Sequence, residues 1–580
     1  DYNAIEERLT VHLSGQAPHM MQAIFAKHLD IPEADVRVIC RDIGGSFGIK
    51  VHTYGDEMAT VAVAKMLGRP VKFIADRLES FVADIHSRDH IVKARMGVDA
   101  DGKILGYGLD DLTGVGPYSM YPRTSAIEAN QVISLSGGQY EFENYRAEAT
   151  VVYQNKAMMC QYRAVGHPIA TAVSEGMADL AAQAAGLDPV EFRRRNLVPD
   201  DAYPTKSAAG APMDDLSHHA CLEKIVALMD YDAVRADRDD ARANGKLRGL
   251  GFASFIEVGS PSPLFYGSGG ARISAQDGCT LRLEPQGTVT CAIGVTEQGQ
   301  GTEGIIAQVA ATAVGVTVEN VRVIAGDTDN TPYGGGTWGS RGAGIGGEAT
   351  WQAGKALRRN ILDVAGAVLQ TEPETLDIVA GHVVDKQGGA ERVSLADLGA
   401  QVHFRTAELP GDLQPEFVVT QHYRVKGPPF VLTNGVQASY LEIDPETGIV
   451  TLLKHWVVED CGTVINPQLV DEQIRGGVVQ GIGGVLFEEC LYDEAGQLLG
   501  GTMADYLVPM AFEMPDIEVA HVETPTGTSE LGAKGAGEAG TGGAPAAIMN
   551  AVNDALGPRR ARVTTHPITP ERVLVALGVV

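Results

Sequence analysis

Gln16 to Gly48 reads QAPHMMQAIFAKHLDIPEADVRVICRDIGGSFG, and Gln300 to Gly339 reads QGTEGIIAQVAATAVGVTVENVRVIAGDTDNTPYGGGTWG. Each stretch parses as a helix, a short polar turn, a VRVI strand (Val36 to Ile39, Val321 to Ile324), an aspartate and a glycine loop, and each runs into another helix, from about Gly55 and about Gly347. Shared order and spacing of this kind mark an internal duplication. The fold expected is α+β or α/β: two elongated, internally related lobes whose strands are covered by helices, with a ligand held between them where the glycine loops converge. The polar stretch from Tyr231 to Gly251, rich in Asp and Arg, is the expected connection. It divides the chain into a first lobe, 1–246, and a second, 247–580. Beyond it, Thr280 to Leu283, Val289 to Val295, Phe417 to Val425 and Ile449 to Val458 read as further strands.

The 580 residues are enough for several cores. With 44% hydrophobic and 21% charged residues the composition is that of a globular protein, and no apolar run is long enough to cross a bilayer. A net charge of −28 repels phosphate backbones, so no nucleic-acid partner is expected. The seven cysteines are scattered without CxxC spacing, which encodes neither an iron–sulfur cluster nor a zinc site and suits a reducing, cytoplasmic compartment. No targeting leader is visible at Asp1.

Glycine loops stand at Gly44 to Lys50, Gln298 to Gly304, Gly334 to Gly344 and Gly532 to Gly543. Without side chains, such loops let backbone amides converge on one anion, and several together suggest one large phosphate-bearing ligand. Gly299-x-Gly301-x-x-Gly304, with Asp327 after the next strand, also satisfies the dinucleotide fingerprint, so a nicotinamide-dependent dehydrogenase is an alternative. The pattern is cheap in a chain of 69 glycines, and its counterpart at Gln16 lacks them.

Glu538, between Gly537 and Ala539, is the sharpest single residue. A carboxylate among small residues faces a ligand directly, and if desolvated becomes a base near neutral pH; the alternative is an acid satisfied by nearby amides. Pro545 is expected to open a helix from Ala546 to Leu556. Arg163, in CQYRAVGHP (Cys160 to Pro168), precedes an amphipathic helix and can reach an anionic or carbonyl group. His167 reads as structural.

Together, DIGGSFGIK, YRAVGHP with DPVEFRRRNL, EQGQGTEGIIAQ, GDTDNTPYGGGTWGSR and GAKGAGEAGTGGAPAAIMNAVNDAL resemble the molybdopterin-binding large subunit of the xanthine dehydrogenase, aldehyde oxidase and carbon monoxide dehydrogenase superfamily. The resemblance runs from Gln16 nearly to the C-terminus. It implies a molybdenum hydroxylase acting on an N-heteroaromatic compound or an aldehyde with water-derived oxygen. The metal is held by the pterin dithiolene, in the cytosine dinucleotide form, with no direct protein ligand. Carried over by motif, Gln16, Gly44, Gly45, Phe47, Gly48, Gln161, Gln298, Gly299, Gly301, Trp338, Gly339, Ser340, Arg341, Lys534, Gly535 and Gly537 line the cofactor. Glu538 is the base, with Gln300 near the metal's oxo group and Arg163 beside the substrate; Val51, Arg88, Val165, Phe255 and Glu257 form the substrate pocket. Electrons leave through two-iron two-sulfur clusters and FAD on partner subunits, in a dimer of heteromers. The family's N-terminal portion of this subunit has no counterpart here, which implies a separate chain or its loss. A non-catalytic pterin carrier is the third reading.

Departures from the family pattern bear on substrate. Ala164 stands where carbon monoxide dehydrogenases carry a copper-holding cysteine, and Val51 where purine oxidisers carry a glutamate, although Arg88 falls where those keep an arginine. Gln161, His167 and Ile169 also depart from the usual residues.

Overall fold

In the computed structural model, which describes residues 1–267, 273–411 and 413–580, one succession of elements recurs. β1 (Tyr2–Asn3) pairs antiparallel with β2 (Arg8–His12), α1 (Pro18–Leu29) crosses over, β3 (Val36–Ile39) lies parallel to β2, and α2 (Gly55–Leu67) follows a glycine loop. The second occurrence is β4 (His90–Val98), β5 (Ile104–Gly114), α3 (Ile127–Leu135), β6 (Asn144–Val152) and α4 (His167–Ala185). A long strand, β7 (Leu247–Gly259), intervenes. The third is β8 (Asp277–Leu283), β9 (Val289–Ile293), α5 (Thr302–Val314), β10 (Val321–Ile324) and α6 (Glu348–Leu369), with β11 (Val418–Tyr423) added beside β8. The fourth is β12 (Val431–Ile443), β13 (Val450–Asp460), α7 (Pro467–Ile482), β14 (Ile517–His521) and α8 (Ala539–Leu556). Among the described residues there are thus four ββαβ modules, and in each a loop leads from the last strand into a further helix. A hairpin gives the antiparallel pair, and only a helical crossover can bring the third strand in parallel.

The compact units do not follow chain order. One comprises Asp1–Phe73, Ser260–Phe430 and Gly527–Ala533; the other comprises Ile74–Gly259, Val431–Thr526 and Lys534–Val580. The two visibly duplicated stretches lie in the same unit, so the repeat relates halves of one body rather than two lobes. There the Cys40 N–H donates to Gly326 O at 2.7 Å and the Thr328 N–H to Val38 O at 3.1 Å. The expected division at 246/247 is not where the units part: from Leu247 to Gly259, β7 pairs with β12 residue by residue, Leu247 opposite Ile443 and Gly259 opposite Val431. Pairing between strands so far apart in sequence leaves no local signal.

The first unit has two cores, one around Leu281, Ile293, Ile306, Leu357 and Ile361, the other around Leu9, Phe25, Val36 and Val38. In the second unit α8 is sheathed on every side. A Cβ on Gly249 would stand 1.9 Å from Ala551 O, and one on Gly251 2.1 Å from Ala551 N, so the helix backbone lies directly on β7. On another side Gly477 of α7 meets Gly540, and Gly481 meets Ala544 and Pro545. The helix begins at Ala539, with Pro545 inside it rather than opening it. Small residues from Ala539 to Ala547 let β7 and α7 clasp the segment closely, and that packing outweighs the missing proline N–H. Among the described residues no helix is long and apolar enough to cross a membrane.

Gly251→Ala should therefore be costly although it adds one methyl, because the atoms it meets are backbone. A loss of about 1 to 3 kcal/mol is expected, seen as a lower melting temperature, whereas alanine at the solvated turn residue Gly411, where a Cβ meets nothing, should leave it near wild type.

Candidate active site

The first unit gathers three of its loops around Thr337. Gln16 Nε2 donates to Thr337 O at 3.0 Å while its Oε1 accepts from the Gly48 N–H at 3.1 Å. Gln298 Nε2 donates to Thr337 O at 3.1 Å and to Thr296 Oγ1 at 2.9 Å. The Thr337 hydroxyl donates to Thr296 O at 2.8 Å. Gly336 must be glycine here, with φ +75° and a Cβ position 2.2 Å from Gln16 O. Thr296 and Thr337 were not singled out from sequence, because threonines bonding backbone leave no pattern.

This loop cluster has the features of an anion cradle. A Cβ on Gly44 or Gly299 would meet nothing within 4 Å, so both glycines border open space. Ser46 Oγ is buried yet has no hydrogen-bond partner among the described residues. Phe47 holds a left-handed φ of +53° and is half exposed. A phosphate-bearing group with hydrogen-bonding edges fits this arrangement.

Other expected residues serve the loops themselves. Gln300 donates to Thr296 O at 2.9 Å and Thr302 Oγ1 at 2.7 Å and accepts from the Gln298 N–H at 2.6 Å, so its amide organises its own turn. Arg341 is fully buried, bound to Asp277 and to the carbonyls of Ser274 and Gln276 at 2.9 Å, and stacked on Trp338 with its guanidinium 4.8 Å from the ring centroid. Gly339 O accepts from the Ser260 N–H at 3.0 Å, and Ser340 sits at φ +49°. Val51, expected in the substrate pocket, is instead buried in the β1–β3 core; it occupies a short 3-10 turn that rotates it inward. Asp327, the acid of the dinucleotide fingerprint, is held by Arg37 at 2.6 and 2.9 Å, and β9 lies antiparallel to β8 rather than in a doubly wound sheet.

The second unit carries the carboxylates. Glu538 is the N-cap of α8, and its carbonyl accepts from Thr541 and Gly542 at 3.1 Å. Its side chain is half-buried. Glu257 is fully buried; Thr433 Oγ1 on the paired strand donates to it at 3.0 Å. Burial first, then the neighbouring Glu538, raises the Glu257 carboxyl well above the usual range. Phe255, two residues earlier on the same face, is fully buried under the first turns of α8 against Gly543.

Arg163 is buried and directed at the glutamate's loop. Its Nε donates to Gly537 O at 2.5 Å, one terminal nitrogen to Gln480 Oε1 at 3.0 Å, and the other to Gln473 O at 2.9 Å and Oε1 at 3.2 Å. The expectation of an arginine facing substrate is thus revised: these bonds make it a clamp between α7 and the residue before Glu538. Ala164 and Val165 follow at φ +71° and +49°, a strained pair and an unusual conformation for a β-branched residue. His167 holds the bend. Its Nε2 accepts from the Val258 N–H at 3.1 Å, which leaves Nδ1 as the donor to Ala164 O at 2.6 Å, and burial lowers its pKa to about 4. Arg88 donates to Arg163 O and lies 4.8 Å over the Tyr162 ring. Gln161 lies in the same loop and bonds Thr124 O at 3.4 Å.

Lys534 is buried among Asp460, at 3.6 Å, and Asp215 O, where it staples the loop ahead of Gly535. A relay missed in the sequence supports the first turn of α8: Ser439 to His455 Nδ1 at 2.6 Å, His455 Nε2 to Gln437 at 3.0 Å, and Gln437 to the carbonyls of Ala539 and Gly540 at 3.3 and 3.0 Å.

Comparison with known proteins places these loops in a family. Molybdopterin cofactor-binding domains match residues 1–197 and 224–515. The chain is 36% identical to the nicotine 6-hydroxylase large subunit of Paenarthrobacter nicotinovorans over 99% of its own length and 70% of that protein's. It is 30% identical to the carbon monoxide dehydrogenase large chain of Hydrogenophaga pseudoflava, over 96% of this chain and 69% of that one. Its fold superposes on quinoline 2-oxidoreductase from Pseudomonas putida 86 with a TM-score of 0.94 at 33% identity, covering all of this chain and 73% of the other. The chain belongs to the molybdopterin-dependent hydroxylases of the xanthine dehydrogenase type, as a catalytic subunit that oxidatively hydroxylates its substrate. This removes the nicotinamide-dehydrogenase alternative.

Arg163→Lys keeps the charge but cannot span Gly537, Gln480 and Gln473 together. Each lost bond should cost about 1.5 to 3 kcal/mol. A lower melting temperature and faster amide exchange around Gly540 to Gly542 are expected; unchanged exchange would show that the clamp does not hold the loop.

Proposed function

We propose that this chain hydroxylates an electrophilic ring carbon of an N-heteroaromatic compound, with Glu538 as the general base. The observation that carries the reading is the placement of Glu538: a half-buried carboxylate at a helix N-terminus, its loop held by the Arg163 clamp on Gly537. The substrate class is favoured by the nicotine-hydroxylating and quinoline-oxidising relatives. Ala164 offers no thiolate for copper, which separates the site from the carbon monoxide dehydrogenases in the resemblance. Arg88, stacked on Tyr162 beside the strained loop, and Val165 form the substrate side.

The molybdopterin group, here in its cytosine dinucleotide form, supplies when bound a two-electron acceptor and an activated water-derived oxygen. The amides around Gly44 to Gly48 and Gly299 to Gly301, the Ser46 hydroxyl and the Gln16 and Gln298 side chains would hold it. Glu538, at the start of α8, would accept the proton of the water-derived oxygen which that group supplies. No described cluster of three His, Cys, Asp or Glu side chains could bind a metal, and electrons are passed to iron–sulfur and FAD subunits of a larger complex.

Stoichiometric molybdenum and pterin in the purified complex test the cofactor assignment. Glu538→Gln keeps the side-chain shape but cannot take the proton, so cofactor content should persist while single-turnover reduction slows by about 10² to 10⁴. Reduction by substrate at the wild-type rate would remove Glu538 from the chemistry and leave a carrier.

A further inference from the structure

One histidine of the second unit lies between two carboxyl groups, two residues beyond Arg88. His90 opens β4 opposite Thr113 of β5, and Asp111 stands two residues before Thr113 on the same face. His90 Nδ1 is 3.0 and 3.1 Å from the two Asp111 oxygens and 2.9 Å from the Thr113 hydroxyl, which donates its own proton to Asp111 Oδ2 at 2.7 Å. On the other side of the ring, Nε2 is 3.5 Å from Oε2 of Glu128, in the first turn of α3. The side chains of His90, Asp111 and Glu128 are all shut off from solvent.

The charge of the ring follows from these neighbours. Nδ1 faces only acceptor oxygens, so it carries a proton. A lone pair on Nε2 would face a carboxylate, so that nitrogen carries one as well. Burial opposes the resulting cation, but Asp111 and Glu128 outweigh it and raise the imidazole to about 9. Glu128 depends on that cation in turn. Its Oε2 accepts the Arg88 N–H at 3.1 Å, while its Oε1 has no hydrogen-bond partner among the described residues. A buried carboxylate with a single donor is unfavourable unless an opposite charge stands beside it.

What Glu128 holds is the substrate side of the site. Arg88 has a left-handed φ of +68°, an uncommon backbone for a residue with a side chain, and the bond to Glu128 fixes that turn. From there the Arg88 guanidinium donates to Arg163 O and lies 4.8 Å from the centre of the Tyr162 ring. A Cβ on Gly166 would collide with Glu128 O, so the loop bearing Ala164 and Val165 rests on α3 at the same glutamate.

We infer that His90 is a positioning residue for substrate: bridging Asp111 and Glu128, it holds the acceptor of the Arg88 N–H in place and so fixes the Arg88 guanidinium over Tyr162. The inference rests on the reading of Arg88 as part of the substrate side. The side-chain bonds of Arg163 to Gly537, Gln480 and Gln473 do not pass through Arg88. Disturbing His90 should therefore be felt in the Michaelis constant and little in turnover.

The test uses the full-length protein in its complex, with quinoline and nicotine as probe substrates. His90→Leu should raise KM about tenfold while kcat stays within about twofold and the molybdenum content is unchanged. In an Arg88→Ala background the same change should add nothing, because the two residues act as one unit. Glu128→Leu should behave as His90→Leu does, and Glu128→Gln, which still accepts the Arg88 N–H, should recover most of the lost affinity. A crystal structure of His90→Leu should show the Arg88 guanidinium displaced from the Tyr162 ring, a result read whether or not either probe is turned over. Should that variant fail to fold, the structures of Glu128→Leu and Glu128→Gln decide in the same way. Arg88 unmoved over Tyr162, or effects of His90→Leu and Arg88→Ala that multiply, would overturn the inference. A wild-type KM in Arg88→Ala, with Arg88 displaced in His90→Leu, would instead overturn the substrate-side reading of Arg88 and leave its positioning by His90 standing.

Discussion

The backbone of α8 lies on β7 with no side chain between them at Gly249 and Gly251, and on α7 with none at Gly477. Such contact is open only to glycine, and it fixes the helix along its length to within the thickness of a methyl group. Glu538 caps that helix, so its position follows from packing that begins a dozen residues away. The interior Pro545 fits the same picture: a helix clasped on several sides does not need every one of its own hydrogen bonds.

Charge is managed around that helix by burial rather than by solvent. Arg193 pairs with Glu175 at 2.7 Å with both side chains fully buried, and Lys534 with Asp460 in the same way. Each of these pairs ties loops or helices to the sheet and balances its own charge. Arg163 bonds the carbonyls of Gly537 and Gln473 and the amide side chain of Gln480, and so ties the loop before Glu538 to α7.

Much of this was legible in the sequence. The helices and VRVI strands of the duplicated stretches fall where the periodicity puts them, and the glycine loops were recognisable because turns of positive φ and close approach demand glycine. Glu538 stood out because its neighbours are small, and the ordered motifs pointed to the family. Other residues misled. Val51 and Phe255 read as pocket residues but lie in cores, since a position in a motif does not say which way a short turn or a strand faces. Arg163 read as a substrate ligand but is bonded to α7, a partner more than three hundred residues away.

Local chemistry is what the sequence by itself determined: where the backbone turns, which segments repeat, which acid lacks cover. These depend on residues within a few positions of one another. The tertiary structure alone decided that the repeat lies within one compact unit, that there are four such modules among the described residues, and that the chain does not divide at Leu247. It also decided that Glu257 lies buried beside Thr433, and that neither oxygen of Glu459 has a hydrogen-bond partner among the described residues. Those outcomes depend on pairing between strands some two hundred residues apart, and side-chain alternation along one strand carries no information about which other strand will lie beside it.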